Sequence, residues 1–276
     1  MAAVDGPGWT VKDTVPYSQR MTLALVTGAS AGIGFQLASQ LAERGYDIVG
    51  VGASDRINDL GDRIGGVQVI PVQADLTSAE GIEQVWQAVS QIGRPLDVAC
   101  LNAGRSLGGA FLDTDLDEEL QMLALNVTGQ VRLAKHVVRH MAGQQAGNIL
   151  VTTSCSALTP TPYESIYGPT RAFMLSFAEG LREEMKEHGV GVTALLPGAT
   201  ATDFHHTAGM GNTKFGSNDW KNDPAQVARQ GLDALFAGED HVIGGNQATK
   251  DGAARNRTLS DPVKAAEFAR SSRPSN

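Results

Sequence analysis

Tyr167 and Arg171 are the two residues whose types and spacing point most directly to proton transfer. Tyrosine has a pKa of about 10, so its hydroxyl is a poor acid–base group at neutral pH unless a cation lies nearby. Because residues four apart share one face of a helix, the Arg171 side chain can lie beside the Tyr167 ring. A unit charge about 4 Å away, at an effective dielectric of about 20, contributes roughly 4 kcal/mol, or about 3 pKa units. An arginine in this position would therefore bring the pKa of the Tyr167 hydroxyl closer to neutral pH.

Arginine at position 171 supplies an electric field but not a proton. Its pKa exceeds about 12, so a proton relay that passes through this side chain would fail. Pro169, which lies between the two residues, is compatible with a first helical turn, where its missing N–H costs nothing.

A glycine-rich segment near the start of the chain has the pattern of a phosphate site. Leu23–Val26 is a short apolar run, typical of a buried parallel strand. Three glycines follow it: Gly28, Gly32 and Gly34. Apolar residues then recur at helical spacing as far as Gly45. Since glycines let a backbone approach a pyrophosphate and a helix N-terminus offers free N–H groups, the segment predicts a phosphate-binding turn.

The same glycine segment has two alternative interpretations. It is compatible with a tight strand-to-helix turn that binds no ligand. It also fits G-x-S-x-G, the nucleophile elbow of α/β-hydrolases, with Ser30 as the nucleophile. The hydrolase fold requires a sheet that begins before the nucleophile strand, whereas Ser30 follows the first predicted strand. The hydrolase interpretation also leaves the polar residues after the later strands unexplained.

Strand and helix patterns alternate along the chain. Strands are predicted at 23–27, 47–52, 67–72, 96–101, 148–153, 190–196 and 241–243, and helices at 32–44, 78–91, 117–141, 166–188 and 223–237. Such alternation implies right-handed crossovers and a mostly parallel α/β sheet of about seven strands, with helices on both faces. Ligands of such sheets bind beyond the carboxyl ends of the strands.

One domain is predicted over residues 21–245, with a flexible tail at 1–20 and a polar, peripheral segment at 246–276. Within the domain, the stretch of about 199–221 lacks a clear period and carries aromatic and methionine side chains. This favours a lid over a site, and a surface loop pinned by apolar anchors is the alternative. His205 and His206 are interpreted as lid residues rather than catalysts, because no carboxylate partner is evident.

Composition limits the partners and the compartment. The net charge of −8 argues against nucleic acid or an anionic membrane as the main partner, but not against an anionic cofactor. Cys100 and Cys155 belong to no C-x-x-C pair, and no His/Cys cluster has the spacing of a metal site. Residues 1–20 lack the basic start and apolar core of a signal peptide. We therefore expect a cytoplasmic protein with reduced thiols and no metal.

The residues that follow the predicted strands carry an ordered set of motifs. They are Thr27-Gly28-x-x-x-Gly32-x-Gly34, Asn102-Ala103-Gly104, Asn126, Ser154, Tyr167 13 positions later, and Pro197-Gly198. With these motifs the chain resembles, over about residues 21–245, the short-chain dehydrogenase/reductase family. The resemblance implies a Rossmann-type doubly wound sheet, a nicotinamide dinucleotide, and hydride exchange with an alcohol or carbonyl. It also implies a homodimer or homotetramer, paired through the helices at 117–141 and 166–188.

The resemblance implies catalytic roles as well. Ser154 would hydrogen-bond the substrate oxygen, Tyr167 would exchange its proton, and Asn126 would hold a water of the proton relay. The sequence departs from the family at Arg171, because the family motif is Y-x-x-x-K. Tyr163, nine positions after Ser154, fits the family spacing poorly as a substitute for Tyr167 and has no cation four residues on.

Further positions are implied to bind the cofactor. The glycine segment would hold the pyrophosphate and the nearby ribose, Asp75 and Leu76 would flank the adenine, and Thr200 and Thr202 would touch the nicotinamide amide. The residues predicted to bind the cofactor are Thr27, Gly28, Ser30, Ala31, Gly32, Ile33, Gly34, Ser54, Arg56, Asp75, Leu76, Asn102, Ala103, Gly104, Tyr167, Arg171, Pro197, Gly198, Thr200 and Thr202.

The end of the second strand bears on the choice of dinucleotide. Enzymes that use NAD often place an acidic residue there to hold the ribose 2′-hydroxyl. The strand is predicted to end at Ala53 without a carboxylate, and Ser54 and Arg56 are suited to a 2′-phosphate. If the strand runs on, Asp55 would bond the ribose and favour NAD. The sequence favours NADP(H).

The sequence is compatible with two functions. The first is an NADP(H)-dependent carbonyl reductase or alcohol dehydrogenase that acts on a small, partly apolar molecule. The second is a protein of the same fold whose redox chemistry is lost or rerouted by Arg171, either a cofactor-binding regulatory protein or a non-redox biosynthetic enzyme. The presence of Asn126, Ser154 and Tyr167 favours retained catalysis.

Overall fold

A parallel sheet of seven strands forms the centre of the structure, a computed structural model that describes residues 22–275. The strands are β1 (Thr22–Thr27), β2 (Tyr46–Gly52), β3 (Val69–Gln73), β4 (Val98–Leu101), β5 (Gly147–Thr152), β6 (Val190–Pro197) and β7 (His241–Gly244). They pair in parallel in the order β3-β2-β1-β4-β5-β6-β7. The strand order reverses between β1 and β4, which is where such sheets bind ligands. The predicted doubly wound, Rossmann-type α/β class is confirmed.

Helices cover both faces of the sheet. They are α1 (Gly32–Glu43), α2 (Leu60–Arg63), α3 (Ala79–Gln91), α4 (Leu116–Leu123), α5 (Gln130–Gln144), α6 (Tyr167–Met185), α7 (Phe204–Thr207), α8 (Pro224–Ala237), α9 (Gln247–Asn256) and α10 (Asp261–Ser272). Successive strand residues point to opposite faces, so β1 serves two cores. Leu25 is buried in the core that includes α3, α5 and α6, whereas Val26 is buried in the core that includes α1 and α8.

The long helix predicted over 117–141 is composite. A π-helical segment, Ala124–Gly129, joins α4 to α5. At Gly129 the backbone passes so close to its neighbour that a Cβ atom would lie 2.1 Å from the carbonyl oxygen of Leu76. Single π-helical turns occur often at functional sites, and Asn126 lies in this one.

The segment after Gly245 differs from the predicted peripheral stretch. It forms α9 and α10, and these helices pack on the body of the protein. Lys264 Nζ donates to the carbonyl oxygen of Leu158 at 3.3 Å, and Ser272 Oγ donates to that of Pro162 at 2.8 Å. The sequence signal is weak because few residues of these helices are buried, Ala253 and Ser272 among them.

The tail predicted at 1–20 lies outside the described residues. Between 22 and 275, no helix is both long and apolar enough to cross a membrane. Within the same range, no group of three or more His, Cys, Asp or Glu side chains is arranged to hold a metal ion. Both cysteines are free thiols, and burial raises the pKa of each to about 12.

Candidate active site

The glycine turn between β1 and α1 is built for close approach. Gly28 and Gly32 adopt left-handed φ angles of +68° and +55°, which side chains disfavour. At Gly34 a Cβ atom would lie 2.1 Å from the carbonyl oxygen of Gly28. The first turn of α1 has no side-chain cap and no acidic residue. Its free N–H groups and open glycine cradle fit the pyrophosphate of a dinucleotide.

A hydrogen-bonded pair of strand ends holds this turn beside β4. Thr27 Oγ1 accepts the backbone N–H groups of Asn102 at 2.9 Å and Ala103 at 3.0 Å. In return, Asn102 Nδ2 donates to the Thr27 carbonyl oxygen at 3.0 Å. Thr27 is fully buried and does not line the cavity, so it supports the glycine turn from behind.

A cavity of about 990 Å³ runs from the glycine turn past the strand ends to α10 and to the segment of about 199–221 that is predicted to be a lid and is called the lid below. The structure brings most of the predicted site residues together on its walls. Those that line it are Gly28, Ser30, Ala31, Gly32, Ile33, Gly34, Arg56, Asn102, Ala103, Gly104, Ser154, Tyr167, Arg171, Pro197, Gly198, Thr200 and Thr202. The predicted residues outside its lining are Thr27, Ser54, Asp75, Leu76 and Asn126.

Asp75 and Leu76 lie on the loop between β3 and α3 and have local partners. Asp75 Oδ1 accepts from the backbone N–H and the hydroxyl of Thr77, at 2.9 and 2.8 Å. Leu76 is buried against the backbone of Gly129. Their role beside an adenine stays a prediction.

Asn126 is fully buried, and its side-chain amide holds two segments together by hydrogen bonds. Its Oδ1 accepts the backbone N–H of Arg105 at 2.9 Å. Its Nδ2 donates to the Arg105 carbonyl oxygen at 2.8 Å and to Thr170 Oγ1 at 3.1 Å. Asn126 thereby ties the segment after β4 to the first turn of α6. Its predicted role in holding a water remains a prediction.

Tyr167 opens α6 and faces the cavity from a nearly buried position. Its ring centroid lies 5.6 Å from that of Phe204 in the lid. Burial raises the pKa of Tyr167 above its ordinary value. The positive charge of Arg171 and a hydrogen bond with Ser154 lower this pKa, and the carboxyl of Glu164 raises it. The side chains of Ser154 and Arg171 therefore both lie within reach of the Tyr167 hydroxyl.

Arg171 packs on the tyrosine and on the segment after β4. Its guanidinium carbon lies 5.0 Å from the Tyr167 ring centroid, and Nη1 donates to the Thr152 carbonyl oxygen at 3.4 Å. A Cβ atom at Gly104 would lie 2.0 Å from Arg171 Nη2, so a side chain there would have to displace the guanidinium. Arg171 Nε is buried without an acceptor among the described residues. This spare donor on a cavity-lining guanidinium fits a side chain that binds hydroxyl groups of a ligand.

Glu164 is a site residue that sequence reasoning missed. It lines the cavity, is 3 % exposed, and its Oε1 accepts from Ser106 Oγ at 2.7 Å. The residue before it, Tyr163, has a left-handed backbone with φ of +66°. No sequence pattern predicts this conformation, and so none predicts that Glu164 faces the cavity. Tyr163 itself lies outside the cavity lining, and its hydroxyl accepts from Arg273 Nε at 2.8 Å.

The lid forms an aromatic wall opposite Tyr167. The ring of His205 stacks on that of Phe215, with centroids 5.1 Å apart and planes 5° apart. Phe215 also contacts Trp220 of the lid and Phe268 of α10, at 5.7 and 5.9 Å. Burial and the charges of Lys221 and His206 lower the pKa of His205 to about 4, so it is neutral at pH 7. The lid aromatics and Phe268 line the cavity, whereas His206 does not.

The end of β2 carries basic side chains. The strand stops at Gly52, and Asp55 begins a short 3₁₀ turn with an exposed side chain outside the cavity lining. Arg56 lines the cavity beside the glycine turn. Arg63, which sequence reasoning did not single out, donates from Nη1 to the Ser30 carbonyl oxygen at 2.8 Å. Ser30 has no hydrogen bond to a histidine among the described residues, as a hydrolase nucleophile would need.

Residues 22–212 match the family model described as short chain dehydrogenase, and the chain therefore belongs to the short-chain dehydrogenase/reductase family of oxidoreductases. An uncharacterized short-chain type dehydrogenase/reductase of Sinorhizobium fredii is 33% identical over 192 residues, covering 68% of this chain and 74% of that protein. An uncharacterized oxidoreductase of Staphylococcus epidermidis is 29% identical over 193 residues, covering 70% of this chain and 84% of that protein.

Two solved structures are also similar. A short-chain dehydrogenase from Sphingobium yanoikuyae, in complex with NADPH, is 29% identical with a TM-score of 0.76, covering 86% of this chain and 94% of that one. The bulky-bulky ketone specific alcohol dehydrogenase from Comamonas testosteroni is 26% identical with a TM-score of 0.73, covering 86% of this chain and 91% of that one.

Proposed function

We propose that the protein is an NADP(H)-dependent oxidoreductase that interconverts a carbonyl and an alcohol on a partly apolar molecule. One observation carries the proposal: the glycine turn, Ser154, Tyr167 and an aromatic lid all open onto a single cavity. The similarity to proteins described as an NADPH complex and as a ketone-specific alcohol dehydrogenase supports it.

The roles follow from chemistry at the cavity wall. When bound, a nicotinamide dinucleotide supplies or accepts the hydride. Ser154 donates a hydrogen bond to the substrate oxygen, and Tyr167 gives that oxygen its proton in the reduction. Arg171 supplies the positive charge that makes the phenolate accessible and binds ribose hydroxyls. The aromatic lid excludes water and contacts the apolar part of the substrate.

The proposal is tested by binding and turnover measured on the same preparation. NADPH and NADH binding are followed by fluorescence, and NADPH oxidation is then measured with ketones, aldehydes and quinones. We expect NADPH to bind and at least one partly apolar carbonyl to be reduced. Binding without turnover would favour the cofactor-binding or non-redox alternative, and failure to bind either dinucleotide would contradict both.

Arg56 is proposed to select NADP(H) by contacting the 2′-phosphate. A charge-assisted hydrogen bond contributes about 1.5–3 kcal/mol, and less at an exposed side chain such as this one. We expect Arg56→Ala to weaken NADPH binding about 10-fold and to leave NADH binding unchanged, as read by fluorescence titration. Arg132→Ala, an exposed arginine on α5 outside the cavity lining, is the matched control. Equal losses for both dinucleotides would argue against a 2′-phosphate contact.

Self-association is proposed to use α4, α5 and α6. Leu116 and Leu120 of α4 are 63% and 50% exposed, and Phe173 of α6 is 47% exposed. Large exposed apolar side chains on neighbouring helices are typical of contact surfaces. We expect light scattering after size-exclusion chromatography to give the mass of a dimer or tetramer, and a monomer at micromolar concentration would contradict this.

A further inference from the structure

Glu164 is a buried carboxyl in the cavity, and the proposed function gives it no role. Its Oε1 is held by the Ser106 hydroxyl at 2.7 Å. Its Oε2 has no hydrogen-bond donor among residues 22–275, and no cation lies within 4.0 Å of it in the same range. A carboxyl that is nearly buried, has a hydrogen bond to only one oxygen and lacks an ion pair is costly to ionise. Such a group calls for an explanation other than packing.

The backbone of Glu164 is fixed to the same helical turn as Tyr167. The Glu164 carbonyl oxygen accepts from Thr161 Oγ1 at 2.9 Å and from the N–H of Gly168 at 3.3 Å. A Cβ atom at Gly168 would lie 2.1 Å from Thr161 Oγ1, so the turn is tightly packed. The left-handed Tyr163 then directs the chain so that Glu164, three residues before Tyr167, lines the cavity with it.

Charged and polar groups from two parts of the chain face Glu164. From α6, the guanidinium of Arg171 and the phenol of Tyr167 act on it, and from the segment after β4 only the neutral hydroxyl of Ser106 does. Burial raises the pKa of Glu164 to about 7, against the lowering effects of Ser106 and Arg171. A group that titrates near neutral pH is well suited to hold and pass on a proton.

We propose that Glu164 stores and supplies the proton that Tyr167 exchanges with the substrate, a task for which Arg171 is unsuited. The inference rests on the proposed function. It follows from the shared cavity, the fixed position of both residues on one turn, the free Oε2, and a neighbouring cation that cannot release a proton. Glu164 acts through Tyr167 and does not touch the substrate, so its role is to hold the proton in position for Tyr167.

The proton balance is simple. In the reduction, the carbonyl carbon gains a hydride from a reduced nicotinamide dinucleotide, and the carbonyl oxygen gains the proton of Tyr167, which leaves a phenolate. The Glu164 carboxylic acid gives its proton to the phenolate oxygen through the cavity that they share. The Glu164 carboxylate then regains a proton from solvent water. In the oxidation each transfer runs in reverse.

The test compares pH profiles of NADPH-dependent reduction in the full chain. The native protein should lose kcat as pH rises through about 7, because the Glu164 proton is then lost. Glu164→Gln should lower kcat at pH 6 by about 10-fold or more and remove this break. Glu164→Asp should keep a break, and Glu184→Gln, an exposed glutamate on α6, should leave the native profile unchanged. A purely structural role would lower kcat without removing the break.

Two further measurements follow the Glu164 proton itself. In the ligand-free protein, ¹³C NMR of labelled glutamate carboxyls should show one group with a midpoint near pH 7, absent in Glu164→Gln. Ser106→Ala removes the hydrogen bond that lowers the pKa of Glu164, so the NMR midpoint and the kinetic break should both move to higher pH. A midpoint near the ordinary glutamate value, or a break that neither variant moves, would overturn the relay.

Failure of the relay and failure of the proposed function give different results. A native chain that reduces carbonyls with the same profile as Glu164→Gln overturns the relay alone. A native chain that reduces no carbonyl overturns the proposed function and the relay with it, and circular dichroism shows whether each variant is folded.

Discussion

Replacing Tyr167 by Phe is expected to lower kcat for carbonyl reduction by about 10²–10⁴-fold, the usual contribution of a positioned acid–base group. The variant removes only the hydroxyl. The ring that packs 5.6 Å from Phe204 and carries the Arg171 guanidinium at 5.0 Å is retained. NADPH affinity should therefore change by less than about twofold. Steady-state kinetics and a fluorescence titration on the same protein measure both quantities.

Tyr163→Phe is the matched control for this change. It removes a tyrosine hydroxyl that accepts from Arg273 outside the cavity lining, so kcat should stay within about twofold of the native value. A native kcat in Tyr167→Phe would contradict the role of Tyr167 as the proton donor. Equal losses of activity in the two tyrosine variants would contradict it as well, because the loss would then not be specific to the proton on Tyr167.

Replacing Arg171 by Met is expected to have the second-largest effect. The positive charge of Arg171 lowers the pKa of Tyr167 and so favours the phenolate. Without it the phenolate becomes less accessible, so kcat for alcohol oxidation should fall by about 10²–10³-fold. NADPH binding should weaken too, because a cavity-lining donor is lost. Methionine fills much of the buried volume, and thermal unfolding checks that the fold is kept.

Arg171→Lys distinguishes the charge from the shape of the side chain. An ammonium keeps the charge and releases a proton more readily, so we expect kcat to stay within about 10-fold of the native value or to exceed it. If the native chain binds NADPH without turnover and Arg171→Lys gains carbonyl reduction, the chemistry is switched off or rerouted at this residue. Native activity in Arg171→Met would contradict a role for the charge.

The sequence predicts those parts of the protein whose signals are local. Asp223 followed by Pro224 predicts the start of α8, and the structure has the Asp223 carboxylate accept the N–H of Ala225 at 3.0 Å. The apolar run of β1 and the glycine turn are equally local, because burial on both faces and left-handed φ angles restrict which residues can occur there. The sheet and the glycine turn follow from such signals.

The sequence misses features that depend on distant contacts. Glu164 enters the cavity because Tyr163 adopts a left-handed conformation and Ser106 meets its carboxyl, and neither fact has a local pattern. The π-helical segment around Asn126 consists of residues that also occur in α-helices, so the sequence does not distinguish it from an ordinary α-helix. Phe268 is a single aromatic residue in a polar helix, and only the tertiary fold places it against Phe215.

The central claim is tested most directly by following the hydride itself. NADPH that carries deuterium at the transferable C4 position is mixed with the native protein and with the ketone or aldehyde that gives the fastest NADPH oxidation, and the product is analysed by mass spectrometry. The account predicts an alcohol with one deuterium on the carbinol carbon, formed by the native chain and about 10²–10⁴-fold more slowly by Tyr167→Phe. Tight binding of NADPH with no labelled alcohol from any ketone or aldehyde would contradict it.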